Sequence, residues 1–289
     1  MNVRALIDDA ARRLAAAGVA FGHGTTNAFD EAVWLVLWRL GLPLDELDGA
    51  ADLSVDVARQ AEVEALIDER IERRIPAAYL TGEAWLQGVP FTVDQRAIVP
   101  RSLIAEPLAD GTLDAWLAAD TTRVLDLCTG NGSLAVLAAL AWPEVAVEAT
   151  DLSADALALA ELNVQRHHLE TRIALRQGDG LAAARGAYDL ILCNPPYVNR
   201  DSMSRLPPEF RAEPTMALAG GTDGMDFVRR LLAGAARHMT PPAVLVIEIG
   251  HERAHFEAAF PRLETVWLPT SAGEDQVLLL TRSALETAK

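Results

Sequence analysis

The chain has 289 residues, 51% hydrophobic and 23% charged, an ordinary globular balance and enough length for two domains. Its formal net charge of −16 argues against a grip on nucleic acid phosphates and favours a basic partner, and two cysteines cannot make a disulfide framework. No apolar run reaches the roughly 18–20 residues a membrane span needs, so a cytoplasmic, reducing setting without membrane contact is expected.

Met1 to Ala20 reads as an amphipathic helix carrying Arg4, Asp8, Asp9, Arg12 and Arg13, not as a signal peptide. Asp30 to Leu40 is apolar on nearly all sides and predicts a buried helix. Ser54 is placed to cap a further helix ending at Pro76, with Leu66, Ile67, Ile71 and Ile75 at helical spacing on its inner face. The mixed charges from Glu62 to Arg74 read as its solvated side. Beyond Ala77 the segments Tyr79–Gly82, Trp85–Gly88 and Phe91–Val93 suggest a hairpin around turn residues. The expected division is a helical domain over 1–84, a β-hairpin linker over 85–101 and a second domain over 102–289. That second domain opens with a predicted helix from Ser102 to Ala118.

After Thr122 the pattern becomes strand, loop, helix, repeatedly. Strands are predicted at Arg123–Cys128, Ala146–Thr150, Arg172–Gln177, Tyr188–Cys193, Ala243–Ile249, Glu264–Leu268 and Gln276–Thr281. Helices are predicted at Ala154–His167 and Phe227–His238. Such alternation implies an α/β fold with an open, largely parallel seven-stranded sheet.

Asp126, Leu127, Cys128, Thr129 and Gly130 close the first of these strands and lead into Gly132. In such sheets ligands bind beyond the carboxyl ends of the strands, and glycines let the backbone approach them. Asp151 ends the second strand, 21 residues after Gly130, where a carboxylate can accept hydrogen bonds from both ribose hydroxyls. Two cofactor classes fit this pattern. Gly130-x-Gly132-x-x-Ala135 matches dinucleotide spacing, as in a nicotinamide dehydrogenase. Asp126 points the other way, because a carboxylate near the loop suits the ammonium of S-adenosylmethionine, which has no phosphate.

Asn194-Pro195-Pro196-Tyr197 follows the strand Tyr188–Cys193 at once. Two prolines stiffen the loop and remove two donors. The Asn194 side-chain oxygen and the Pro195 carbonyl can accept the two N–H bonds of a planar amide or amine. That aims its nitrogen at an electrophilic methyl group and favours the developing charge. Tyr197 can pack its ring against the substrate plane. An adenine-amine DNA methyltransferase uses the same chemistry but needs a basic groove.

With these motifs the sequence resembles the class I methyltransferases that modify glutamine in translation proteins. Within them it is similar to the branch that acts on the third protein of the large ribosomal subunit. The resemblance runs through Gly22–Thr25, Asp30–Val33, Ile75–Thr81, Val99–Ser102, Glu213-Pro214 and Gly221–Gly224. In the release-factor branch an acidic residue usually follows the counterpart of Pro100-Arg101, where this chain has Ser102-Leu103-Ile104. The resemblance implies a Rossmann-like methyltransferase sheet, S-adenosylmethionine contacts at Asp126–Gly130, Asp151, Asp179 and Asn194, and substrate contacts at Asn194–Tyr197. Because the active-site loop should look alike in both branches, substrate choice is expected from the helical domain, and the acidic charge favours a basic ribosomal protein as partner. Ile249-Gly250-His251 departs from the small polar residue expected after the glycine. Cys128 and Cys193 read as packing residues, Arg101 as either a ligand-steering or a paired group, and His167-His168 has no neighbouring ligand cluster that would hold a metal.

Overall fold

Side-chain caps start the N-terminal helices. The Asn2 oxygen accepts from Ala5 N (2.9 Å) ahead of helix Val3–Ala16, and Asn27 accepts from Asp30 N (2.9 Å) ahead of helix Ala28–Leu40. The third long helix, Val57–Arg73, is capped by Asp56 through Arg59 N (3.0 Å) and not by Ser54. Ser54 instead bridges to Asn2, and the Asp56 carboxylate stands where the first free N–H groups point. The computed structural model describes residues 1–287 and gathers them into two units. The first holds these helices over Met1–Ala84 together with Leu206–Ala212.

Leu6, Ile7, Leu14, Leu35, Leu37 and Ile67 fill the core of this unit. A charged cluster, Arg70 with Glu31 and Glu209, is buried with them. Arg70 is wholly enclosed and donates to Glu31 (2.8 Å), Glu209 (3.3 Å) and the Ala20 carbonyl (2.9 Å). Arg74 adds a second bond to Glu209 (3.1 Å). The expectation that Glu62–Arg74 is a solvated face therefore fails at Arg70. A guanidinium leaves water only where carboxylates and carbonyls replace the lost hydration.

The second unit contains residues 85–205 and those from Glu213 onward. Residues 85–101 fall within it, and the division runs through the first strand of the hairpin β1 (Glu83–Leu86) and β2 (Val89–Thr92). Gln87 and Gly88 both have positive φ (50° and 74°), the geometry of a tight two-residue hairpin turn. The expected helix Ser102–Ala118 is broken. Only Ala105–Ala109 is α-helical, followed by a 3-10 turn at Thr112–Trp116. Gly111 at φ 79° interrupts the winding between them.

Seven strands form the main sheet. They are β3 (Arg123–Leu127), β4 (Ala146–Asp151), β5 (Ile173–Gln177), β6 (Tyr188–Cys193), β7 (Met239–Glu248), β8 (Val266–Thr270) and β9 (Gly273–Thr281). Their order is β5-β4-β3-β6-β7-β9-β8, parallel from β5 to β7, with β9 antiparallel to both neighbours. Leu125, Val147, Leu190, Ile191, Leu245 and Val246 are fully or almost fully buried, as strands covered on both faces require. β7 begins four residues before the predicted Ala243, running through Pro241 and Pro242, both exposed. The helical stretch after Met225 is α-helical over Asp226–Gly234 and tightens to 3-10 over Ala235–His238. Among the described residues no helix is long and apolar enough to cross a membrane.

β3 lies between β4 and β6, so the chain leaves the middle of the sheet in opposite directions on either side of it. At that switch the loops beyond the carboxyl ends part and leave a crevice.

Candidate functional site

A cavity of about 350 Å³ opens at this crevice, wholly within the second unit. Loops after four neighbouring parallel strands build it: Cys128 and Gly130 after β3, Asp151 to Ser153 after β4, Gly178 to Gly180 after β5, and Asn194 with Pro196 after β6. Its size falls in the range of small-molecule sites.

The loop after β3 turns sharply. Cys128 and Gly130 have φ of 58° and 57°, and Gly132 (φ 82°) leads into the buried helix Ser133–Ala141. A Cβ on Gly132 would come within 3.1 Å of Ala160 Cβ, so this glycine serves the close approach of two helices. Beneath the loop, one oxygen of Asp126 accepts the Thr129 hydroxyl and Ala135 N (3.1 Å). Its other oxygen, Oδ1, is buried without a hydrogen-bond partner among the described residues. Burial pushes the Asp126 carboxyl up to about 7, against the pull of its two hydrogen bonds.

Asp151 accepts from Gly130 N (2.9 Å) and Ser153 N (2.8 Å) and faces the cavity. It therefore ties the loops after β3 and β4 together while each oxygen keeps a further acceptor direction. Burial raises its carboxyl above the usual aspartate value, opposed by those backbone bonds. Asp179 lines the cavity and pairs with Arg230 (2.7 Å) in an exposed contact. The side chain of Asn194 has no hydrogen-bond partner among the described residues and stands in the cavity wall.

The residues singled out in the sequence thus separate. Cys128, Gly130, Asp151, Asp179, Asn194 and Pro196 line the cavity. Asp126, Leu127, Thr129, Pro195 and Tyr197 do not, and Asp126 braces the loop from below. Tyr197 is half-buried and donates its hydroxyl to Glu248 Oε1 (2.9 Å). Burial, then the nearby Glu248 charge, raises that phenol well above its ordinary value. Arg101 pairs with the buried Glu213 (2.5 and 2.7 Å). Cys193 is buried in the sheet core, where burial pushes its thiol up. His167 bonds the Pro90 carbonyl (2.8 Å). His251 is exposed.

Sequence reasoning missed Arg96, Ile98, Met216, Ala217 and Phe227, which supply much of the cavity wall. They sit in irregular segments or on a helix, away from any glycine motif. It also missed Glu248. The signal was present: a carboxylate closing an apolar strand, as at Asp126 and Asp151.

A family model described as the methyltransferase small domain matches residues 111–221. The chain is 56% identical to the ribosomal protein uL3 glutamine methyltransferase of Bordetella pertussis, over 99% of this chain and 97% of that one. It is 46% identical to the protein of the same name from Neisseria gonorrhoeae, over 98% and 95% respectively. The fold is similar to the hMettl16 catalytic domain in complex with MAT2A 3′UTR hairpin 6, with TM-score 0.52, 12% identity, and 82% of this chain and 86% of that one covered.

Proposed function

The chain belongs to the family of ribosomal protein uL3 glutamine methyltransferases, and we propose that it methylates the side-chain amide nitrogen of a glutamine in that ribosomal protein. Its methyl donor is S-adenosylmethionine and its sheet is the Rossmann-like one of class I methyltransferases.

The cavity suits this donor. Asp151 offers acceptors for ribose hydroxyls, and Ile98, Leu152, Ala217 and Phe227 give an apolar bed for a purine ring. Asp151 and Asp179 supply negative charge near a molecule that carries a sulfonium and an ammonium against one carboxylate, and Asp126 keeps an oxygen beneath the loop that has no partner among the described residues. When bound, S-adenosylmethionine supplies an electrophilic methyl group on a sulfonium.

The observation that carries the reading is Asn194, an amide without a partner among the described residues, on the same wall as Gly130 and Asp151. A glutamine amide is a poor nucleophile because its lone pair is delocalised into its carbonyl. Holding it therefore matters more than deprotonating it. The Asn194 oxygen and the Pro195 carbonyl accept the two amide N–H bonds and fix the nitrogen's direction. As positive charge develops on that nitrogen, the same two acceptors gain strength. The spare proton leaves after transfer, so no general base is assigned.

We assign choice of the protein substrate to the helical residues 1–84. Residues 1–84 carry 15 acidic side chains against 8 basic ones, a net of −7, and the count over 1–112 is 18 against 10. That field draws in a basic ribosomal protein and acts on the encounter rate more than on the final complex. The substrate glutamine reaches the cavity on a flexible loop.

The test is mass spectrometry of ribosomal proteins and release factors from cells lacking this protein. Loss of one methyl group from a glutamine of uL3, restored by the wild-type chain, is expected. Loss from a release factor with uL3 unchanged would transfer the chain to the sister activity.

A further inference from the structure

Glu248 ends β7, the strand beside the one that leads into Asn194–Tyr197. It is 4% exposed and receives three donors. Oε1 takes the Tyr197 hydroxyl (2.9 Å), and Oε2 takes the Ser102 hydroxyl (2.6 Å) and Leu103 N (2.8 Å). No arginine or lysine bonds it among the described residues; burial raises its carboxyl above the usual glutamate value, opposed by these three donors and by the nearby Arg101 charge. Burying a carboxylate this way is costly, and an apolar residue would fill the strand end without that cost. The placement calls for a purpose beyond packing.

The surroundings of Tyr197 indicate one. Backbone packs directly against this stretch of chain. A Cβ on Gly220 would lie 2.7 Å from Tyr197 Cα and 2.8 Å from the Pro196 oxygen, and one on Gly224 would lie 2.2 Å from the Tyr197 oxygen. A Cβ on Gly250, two residues beyond Glu248, would lie 2.5 Å from the Tyr197 ring. Three glycines thus let neighbouring backbone close on Pro196 and Tyr197, while the phenol is oriented at its far end by one charge-assisted hydrogen bond.

We propose that Glu248 is a positioning residue: through the Tyr197 hydroxyl it fixes the direction in which Asn194 and Pro195 present their oxygens. The inference rests on the reading of Asn194–Tyr197 as the amide-binding loop. Glu248 touches neither the methyl donor nor the amide. Its second oxygen gathers Ser102 and Leu103 to the same anchor, so the 102–103 turn and the loop after β6 are set against a common reference. Tyr197 accordingly acts from behind the loop, with its hydroxyl committed to Glu248.

Glu248→Gln keeps the volume but places an N–H₂ group where Ser102 or Tyr197 now donates. Tyr197→Phe removes only the hydroxyl. Each variant should lower kcat by about 10- to 100-fold, the scale of a misplaced reacting group. KM for the protein substrate and the dissociation constant for S-adenosylmethionine should stay within about 2-fold of wild type. The double variant should be no worse than the poorer single one, because both remove the same bond. Without any ligand, hydrogen exchange over residues 193–200 should speed up in both variants while β3 and β4 keep their protection. A merely structural role would leave kcat near wild type in the folded fraction, or raise exchange throughout the sheet. Either result overturns the inference, as do independent, additive losses. If Glu248→Gln does not fold, Tyr197→Phe alone decides by the same criteria. Asn194→Ala separates the two readings. If it abolishes turnover while Tyr197→Phe leaves kcat near wild type, positioning by Glu248 fails and the amide-binding loop stands. If Asn194→Ala itself turns over normally, the underlying reading fails.

Discussion

Asp126→Asn isolates the cost of a buried charge. In the folded chain this carboxyl titrates at about 7, against 3.8 for an unperturbed aspartate. The difference of about three pH units corresponds to about 4 kcal/mol at ~1.4 kcal/mol per unit. Because the folded state holds the proton more tightly than the unfolded one, stability falls as pH rises from about 4 to about 7 and levels off above that. The penalty is absent below both values and complete above both. Asparagine keeps an oxygen for the Thr129 hydroxyl and Ala135 N and cannot ionise. Titrating groups that do not interact with Asp126 are common to the two proteins and cancel in their difference, leaving Asp151 as a smaller coupled contribution. The stability of Asp126→Asn minus that of wild type should therefore rise by about 1.4 kcal/mol per unit between about pH 4 and pH 7, then stay flat. Urea unfolding of both proteins at about pH 5, 6, 7 and 8, without ligand, measures this difference. A difference independent of pH, or one that falls as pH rises, would refute the assignment of a raised carboxyl to Asp126.

Other outcomes follow from the cavity and the helical unit. Asp151→Ala should weaken S-adenosylmethionine binding by about 10- to 100-fold in calorimetry, since a charge-assisted hydrogen bond contributes about 1.5–3 kcal/mol. Unchanged affinity would remove Asp151 from the ribose position. Asn194→Ala should leave cofactor affinity intact and slow single-turnover methylation by about 100-fold or more. Arg70→Ala should destabilise the protein by about 3–5 kcal/mol, because Glu31 and Glu209 would stay buried without their shared partner. A loss of under about 1 kcal/mol in urea unfolding would show that water or Arg74 replaces it.

What the sequence discloses depends on distance along the chain. The strand ends near Leu127, Asp151 and Cys193 were legible because the apolar runs there give way to glycine, acidic or proline residues. Asn194 was legible because its chemistry sits in four consecutive residues. The Tyr197–Glu248 bond joins positions 51 apart, and Arg70–Glu209 joins positions 139 apart. No local pattern encodes such partners, so Arg70 looked like one more charge on a solvated face. Local competition explains the other misses. Asp56 outbids Ser54 for the same N–H groups, and a single glycine at 111 divides what apolar spacing suggested was one helix.

Leu206–Ala212 gives the polypeptide an interleaved connectivity. The chain builds the helical unit, departs, and returns for one short segment carrying Glu209 before departing again. Neither unit is therefore a continuous stretch of gene. A single crossover near residue 84 between two relatives would bring Arg70 and Arg74 from one parent and their carboxylate from the other. Recombination should succeed only where both parents agree at these positions or where the short segment travels with the N-terminal part. Positions 31, 70, 74 and 209 should accordingly drift as a linked set, each tolerated only in the company of the others.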